Sequence, residues 1–242
     1  MDTLRDIVSD IRVFLYGGIL TLPLTIAGTL SILGLFTANY AVLFFLVGFL
    51  ILTPLAASIL NFAGGALFTG KSFNPFKAKT GGDVCKLVIP YSTMASPAGV
   101  EEGNVVSSSY VSMISFFIGY VFTNALQLYQ RQTEDPEITV TSTSASDINT
   151  KIGNRKAQAM VAMISIVVFA LIVLGFRFYS GCESVTGIIL TSFLFVWFGH
   201  GWYQALSKVG QDRLSDLFGI ANRLLPPSAI NNAPIACVPI PT

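Results

Sequence analysis

Charge is scarce in this chain of 242 residues, since 14 Lys and Arg and 13 Asp and Glu make up only 11% of it. Soluble domains carry about 25% charged residues, which they need to cover their surface with polar groups. The stretch from Val13 to Gly70 holds no charged residue over 58 positions, and about 20 such residues suffice for a transmembrane helix. The scarcity argues against a soluble enzyme, a nucleic-acid-binding protein and a disordered scaffold, and it predicts an integral membrane protein.

Cysteine and net charge are also low. The net charge is +1, so no basic surface points to nucleic acid. Cys85, Cys182 and Cys237 are odd in number and lack a CxxC spacing, which argues against a disulfide framework and a zinc site. Free thiols are favoured, although one pair can still bridge. The N-terminal region carries acids before its first apolar run, unlike a cleaved signal peptide.

What is present is an alternation of apolar and polar segments. The apolar runs have the length of membrane helices, and every charged residue falls in an arm, a loop or the tail. The predicted segments are an amphipathic arm (1–12), a transmembrane hairpin (13–70), a polar loop (71–104), a third membrane helix (105–130), a Ser/Thr-rich loop (131–156), a second transmembrane hairpin (157–206), an amphipathic helix (207–227) and a proline-rich tail (228–242). We therefore expect an all-α polytopic membrane protein with five transmembrane helices.

Two of the predicted membrane helices carry small residues at helical spacing. Such stripes let neighbouring helices approach closely in lipid, so these residues are the candidate helix-packing positions. The first stripe is Gly17, Thr21, Thr25 and Gly28, and the second is Ser108, Ser112, Ser115, Gly119 and Thr123. Segment 105–130 is rich in Ser, Tyr, Asn and Gln, so a buried helix that does not cross the bilayer remains the alternative.

The distribution of Lys and Arg leaves the number of spans open. With five spans, each side of the membrane receives seven basic residues. With four spans that omit 105–130, the division is 13 against one, which the positive-inside rule favours. The helical pattern of 105–130 favours five, because an uncharged, aromatic-rich helix of this length has no soluble core to enter.

The chemistry of the chain is sparse, and His200 is the one candidate polar site inside a predicted span. It lies between two glycines near the end of the fifth span, where it has room for a ligand or partner, although an interfacial histidine bonded to water or backbone is the simpler interpretation. Metal binding requires further ligands, and no second histidine exists. No nucleophile–base pair, phosphate-binding loop or cofactor motif is evident. We expect no enzyme, no catalytic or metal residues and no cofactor.

The C-terminal tail is rich in proline and free of charge. Pro226 and Pro227 end the predicted amphipathic helix, and Pro234, Pro239 and Pro241 favour an extended chain. An extended segment gains stability by lying in a groove or along a sheet edge of a partner. The tail therefore predicts a protein that fastens other proteins to a bilayer.

The stretch GCESVTGIILTSFLFVWFGHGWYQALSKVGQDRLSDLFGIANRLLPPSAINNAPIACVPIPT, Gly181–Thr242, resembles membrane proteins of the nucleocytoplasmic large DNA viruses. The resemblance implies a structural protein of the virion's internal membrane, in a host membrane before assembly, tied to the capsid or its minor capsid proteins. It implies no site residues. The alternatives are a small channel or transporter, with Asn124 and Gln127 lining a polar path, and a cellular multi-span scaffold. Homo- or hetero-oligomers remain open.

Overall fold

The computed structural model describes residues 17–68, 107–130, 145–210 and 212–217, with the backbone alone described for 65–68, 145–155, 212 and 213. Every regular element in these ranges is helical. The helices are α1 (Leu22–Phe36), α2 (Tyr40–Val47, continued by the π-helical Gly48–Leu52 and by Thr53–Phe68), α3 (Ser109–Gln130), α4 (Ala145–Tyr179), α5 (Val185–Gly210) and the short α6 (Asp212–Ser215). The expected all-helical class is confirmed for the described residues.

Within the described ranges, four helices are long and apolar enough to cross a membrane. They contain the segments Tyr40–Gly64, Ser109–Gln130, Lys156–Tyr179 and Val185–Gly210. These four helices include α3, the segment that the four-span alternative omitted. The shorter apolar helix is α1, whose 15 residues rise only about 22 Å against a hydrocarbon core of about 30 Å.

Helix α3 lies at the centre of the bundle. In its most apolar stretch 72% of the residues are buried, against 17% for Lys156–Tyr179 in α4. An aromatic cluster joins α3 to α2 and α5, with ring centroids 4.9 Å apart for Phe45 and Tyr120 and 5.2 Å apart for Tyr120 and Tyr203. Edge-to-face pairs of this kind are favourable beyond the area they bury. The most enclosed of the four candidate spans is thus, together with Val185–Gly210, one of the two least apolar.

The segments that connect successive helices lie at the two ends of the bundle. At the first, here called the Arg177 end, α4 ends and α5 begins, and hydrogen bonds between Asn61 and Ser107 join the close of α2 to the start of α3. At the opposite, His200 end, α6 packs against the first part of α2 and the last part of α5. Segments 69–106 and 131–144 therefore connect helices at opposite ends.

Two prolines interrupt the helical hydrogen-bond ladder, and a side chain from another helix compensates for the first. Pro23 has no N–H to offer the Ile19 carbonyl, and the Tyr110 hydroxyl donates to that oxygen instead, at 2.6 Å. Pro54 follows the π-helical turn Gly48–Leu52, where the Thr53 hydroxyl donates to the Gly48 carbonyl at 2.8 Å. The Tyr110 side chain thus satisfies a backbone carbonyl that lipid cannot.

The helix boundaries differ from the polar–apolar boundaries of the sequence. Helix α4 begins at Ala145 and ends at Tyr179, although 131–156 reads as a loop and the apolar run ends at Phe176. Charge marks where a helix leaves the hydrocarbon, whereas backbone hydrogen bonds continue into the polar region. The predicted arm 1–12, loop 71–104 and tail 228–242 lie outside the described residues, as does most of the amphipathic stretch 207–227.

Candidate functional site

The first small-residue stripe is largely exposed within the described part of the chain. Gly17, Thr25 and Gly28 are exposed, and a Cβ added to either glycine would meet nothing within 4 Å. The threonine hydroxyls bond to their own helix, with Thr21 donating to Gly17 O at 3.0 Å and Thr25 to Thr21 O at 3.1 Å. The predicted packing of this stripe against another helix stays a prediction.

The second stripe lies inside the bundle, where α3 crosses α5. Its five members are buried: Ser108, Ser112, Ser115, Gly119 and Thr123. At the crossing, a Cβ on Gly119 would clash with the backbone of Val196, and one on Gly199 with the Phe116 carbonyl. Two glycines therefore allow the two backbones to touch, as small residues do in membrane helix pairs.

His200 lies half-buried on α5 and uses both ring nitrogens. Its Nδ1 is 3.0 Å from the Thr123 hydroxyl, which itself donates to the Gly119 carbonyl at 2.6 Å. The Thr123 oxygen must then accept from Nδ1–H, and Nε2 accepts from the Gln204 amide at 2.8 Å. The ring thus links α5 to α3. The ligand or partner role considered for His200 from the sequence stays a prediction.

Further polar groups at the His200 end hold α6 against the bundle. The Tyr120 hydroxyl donates to the Ser215 carbonyl at 3.0 Å, and the Tyr203 hydroxyl donates to Gln127 Oε1 at 3.3 Å. The Asn124 amide is oriented so that its nitrogen and its oxygen both have partners. The nitrogen donates to Asp216 Oδ1 at 3.2 Å, and the oxygen accepts from the Leu217 backbone N–H at 2.9 Å. Asn124 and Gln127, the residues suggested for a polar path, thus bond to protein groups.

A buried charged cluster lies at the Arg177 end. Arg177 is 3% exposed and Glu183 is 8% exposed, and Arg177 Nη2 lies 3.0 Å from Glu183 Oε1. The guanidinium also stacks over the Tyr110 ring, 4.5 Å from its centroid, and Nη2 lies 3.5 Å from the Ser108 hydroxyl. This Arg177 cluster (Ser108, Tyr110, Arg177 and Glu183) joins α3, the last turn of α4 and the connection to α5.

Sequence reasoning missed this cluster, because it placed every charged residue in an arm, a loop or the tail. The pattern that indicates it is an Arg and a Glu six residues apart, flanking a tight turn between two apolar helices. A buried cation or anion is costly unless it is paired. Opposite charges at the two sides of such a turn can pair with each other, and in this structure they do.

Cys182 corrects the expectation of free thiols. It lies in the same connection, is 1% exposed and is disulfide-bonded. The other two cysteines, Cys85 and Cys237, lie outside the described residues. The sequence allowed for one disulfide bond, and Cys182 is one of the two cysteines that form it.

The polar contacts described above join helices to one another. In the part of the chain that the structure describes, four buried polar atoms lack a hydrogen-bond partner: Ser115 Oγ, Arg177 Nε, Thr191 Oγ1 and Ser192 Oγ. No group of three His, Cys, Asp or Glu side chains that could hold a metal ion occurs among the described residues. The tail prolines Pro226, Pro227, Pro234, Pro239 and Pro241 lie outside those residues.

Comparison with known proteins found no matching family model, no similar curated protein and no similar solved structure.

Proposed function

We propose that this protein is a structural integral membrane protein, an anchor that fastens partner proteins to a lipid bilayer. The observation that carries the proposal is how the polar side chains of the bundle are used. Tyr110, Arg177 and His200 each bond to a group on another helix or on the adjoining connection. Such bonds stabilise a fixed arrangement of helices, which is what an anchor requires.

The surface of the bundle supports the same proposal. Large apolar side chains on α4 such as Val161, Leu171 and Ile172 are 58–70% exposed. In a membrane these side chains face lipid acyl chains at no cost, whereas in water they would form a large apolar patch. The bundle therefore suits a lipid environment, and the polar segments outside it are the parts available to soluble partners.

The more specific form of the proposal adds a fifth span and a location. Residues 17–20 are helical and continue towards α1 through Thr21, and the resulting 20 residues rise about 30 Å, enough for the hydrocarbon core. The resemblance of Gly181–Thr242 to large DNA virus membrane proteins supports an internal virion membrane. The partners would then be capsid or minor capsid proteins.

Deleting residues 228–242 tests the anchoring role. We expect the shortened chain to resist extraction of membranes with alkaline carbonate, as an integral protein does, while the proteins that copurify with the full chain in mild detergent are lost. The physical reason is that an uncharged, proline-rich segment binds through an extended backbone that loses little entropy on docking.

Two matched variants of the tail sharpen this test. Replacing Pro234, Pro239 and Pro241 by Ala keeps its length and neutrality and should weaken association, whereas Asn231→Ala with Asn232→Ala should leave it unchanged. Association that survives the deletion would contradict the anchoring role. Flux of ions or small solutes through liposomes containing the purified chain would favour a channel or transporter instead.

A further inference from the structure

The disulfide of Cys182 indicates which side of the membrane the Arg177 end of the bundle faces. Cys182 lies in the connection between α4 and α5, one residue before the buried Glu183 of the Arg177 cluster. Its sulfur is held at the Arg177 end by helices on either side. Any cysteine bonded to it must therefore reach the Arg177 end.

The two remaining cysteines belong to segments that leave the bundle at opposite ends. Cys85 lies in segment 69–106, and both limits of that segment are at the Arg177 end, because Asn61 bonds to both the N–H and the carbonyl of Ser107. Cys237 follows α5 and α6, which end at the His200 end.

The length of α5 separates these two possibilities. Its 26 residues rise about 39 Å, more than the hydrocarbon thickness of a bilayer. For Cys237 to reach Cys182, the proline-rich chain after α6 would have to return through the membrane, where lipid cannot satisfy the backbone groups of a segment that is neither a helix nor part of a barrel. Cys85 reaches the Arg177 end without crossing anything.

We propose that Cys182 is bonded to Cys85 and that the Arg177 end of the bundle faces an oxidising compartment. Forming the bond removes one proton and one electron from each thiol, and a disulfide-exchange oxidoreductase of that compartment takes up both electrons as its own disulfide is reduced to two thiols. The reducing side of the membrane then receives the 37–39 hairpin, segment 131–144 and the C-terminal tail. The inference requires a membrane location and not the anchoring role.

This orientation resolves the tie that the basic residues leave. Seven Lys and Arg lie on each side in the five-span arrangement, so the positive-inside rule selects neither side. A disulfide is an independent marker, because such bonds persist in oxidising compartments and are rare in reducing ones. It also ties the first polar loop to the turn beside the Arg177 cluster.

Thiol counting on the full chain in membranes of the endoplasmic reticulum tests the pairing. The chain is denatured in detergent and treated with a polyethylene-glycol maleimide, with or without prior reduction. We expect one adduct without reduction and three after it for the natural sequence. Cys237→Ser should give none without reduction and two after it, while Cys85→Ser and Cys182→Ser should each give two under both conditions. Two adducts on unreduced Cys237→Ser, or three on the unreduced natural chain, would overturn the pairing.

Introduced glycosylation sites test the orientation in the same membranes, since glycans are added only on the oxidising, lumenal side. The chain has no Asn-x-Ser/Thr site of its own. Ala78→Asn, Thr139→Asn and Ala233→Thr each create one by a single change, in the first loop, the second loop and the tail. We expect a glycan, removable by endoglycosidase, on the Ala78→Asn chain alone. A glycan on either of the others, or on none of the three, would overturn the orientation.

Discussion

Arg177 and Glu183 show how a single ion pair can close one end of a membrane bundle. Both side chains are buried, and their charged atoms are 3.0 Å apart. The guanidinium also covers the Tyr110 ring, and the Tyr110 hydroxyl bonds to the Ile19 carbonyl that Pro23 leaves free. One cation therefore supports a chain of contacts from the α4–α5 connection through α3 to the start of the first helix.

Removing both members of this pair should cost less stability than the two single removals added together. We expect Arg177→Met or Glu183→Leu alone to lower the free energy of unfolding by about 3–5 kcal/mol, because each change leaves the buried charge of the other residue unpaired. The double variant Arg177→Met with Glu183→Leu should lose clearly less than the sum of the single changes. Denaturant unfolding in detergent micelles, followed by circular dichroism, measures all three.

Lys208 provides the control for this comparison. It is an exposed cation in the last turn of α5, so Lys208→Met should change stability by no more than about 0.5 kcal/mol. Single and double variants with additive losses would show that Arg177 and Glu183 do not act as a pair.

At the scale of the helices, close contact depends on glycines that face another helix. Gly119 and Gly199 bring the backbones of α3 and α5 together. On α2, a Cβ at Gly48 would lie 2.6 Å from Trp202 Nε1 and 2.7 Å from Phe116 Cζ. The π-helical turn that begins at Gly48 thus lies where the indole and the phenyl ring need space.

Two glycines on α5 allow a matched test of this packing. We expect Gly199→Ala to destabilise the bundle by about 1–3 kcal/mol, because its methyl group overlaps the Phe116 carbonyl and the helices must separate. Gly201→Ala, two residues further, meets nothing within 4 Å and should be neutral or stabilising by up to about 1 kcal/mol. Thermal unfolding in detergent compares the two, and equal midpoints would refute the crossing.

The helices were largely predictable from the sequence, and their contacts were not. Uncharged runs identify α2 to α5, since lipid excludes charge regardless of the neighbouring helices. Small residues at helical spacing do not reveal whether a partner is present: Ser112 and Gly119 lie inside the bundle, whereas Gly28 faces outward. Arg177 was counted as an external charge because the sequence alone does not show that Glu183 folds back onto it.

At the scale of the whole molecule, the contacts between helix ends decide the topology. The Tyr110–Ile19 bond places the start of the first helix at the Arg177 end, and the packing of α2 on α6 places the 37–39 hairpin at the His200 end. Residues 17–36 therefore run the length of the bundle, although α1 itself is short. The bilayer can adjust to a short helix by thinning, at a modest free-energy cost per ångström of mismatch.

A pair of single cysteines tests whether this first helix crosses the membrane. In a background without the natural cysteines, Ser9→Cys precedes the helix, and Ala38→Cys lies in the exposed turn after it, where residue 38 has a φ of 47°. If the helix crosses, a membrane-impermeant maleimide added to sealed vesicles should label one of the two positions, and the other should react only after the vesicles are opened with detergent. The reason is that a 20-residue apolar helix joined to α2 by a three-residue turn must start on the side opposite to that turn. Labelling of both cysteines from the same side would show that residues 17–36 lie along the bundle without crossing, and would reduce the protein to four spans.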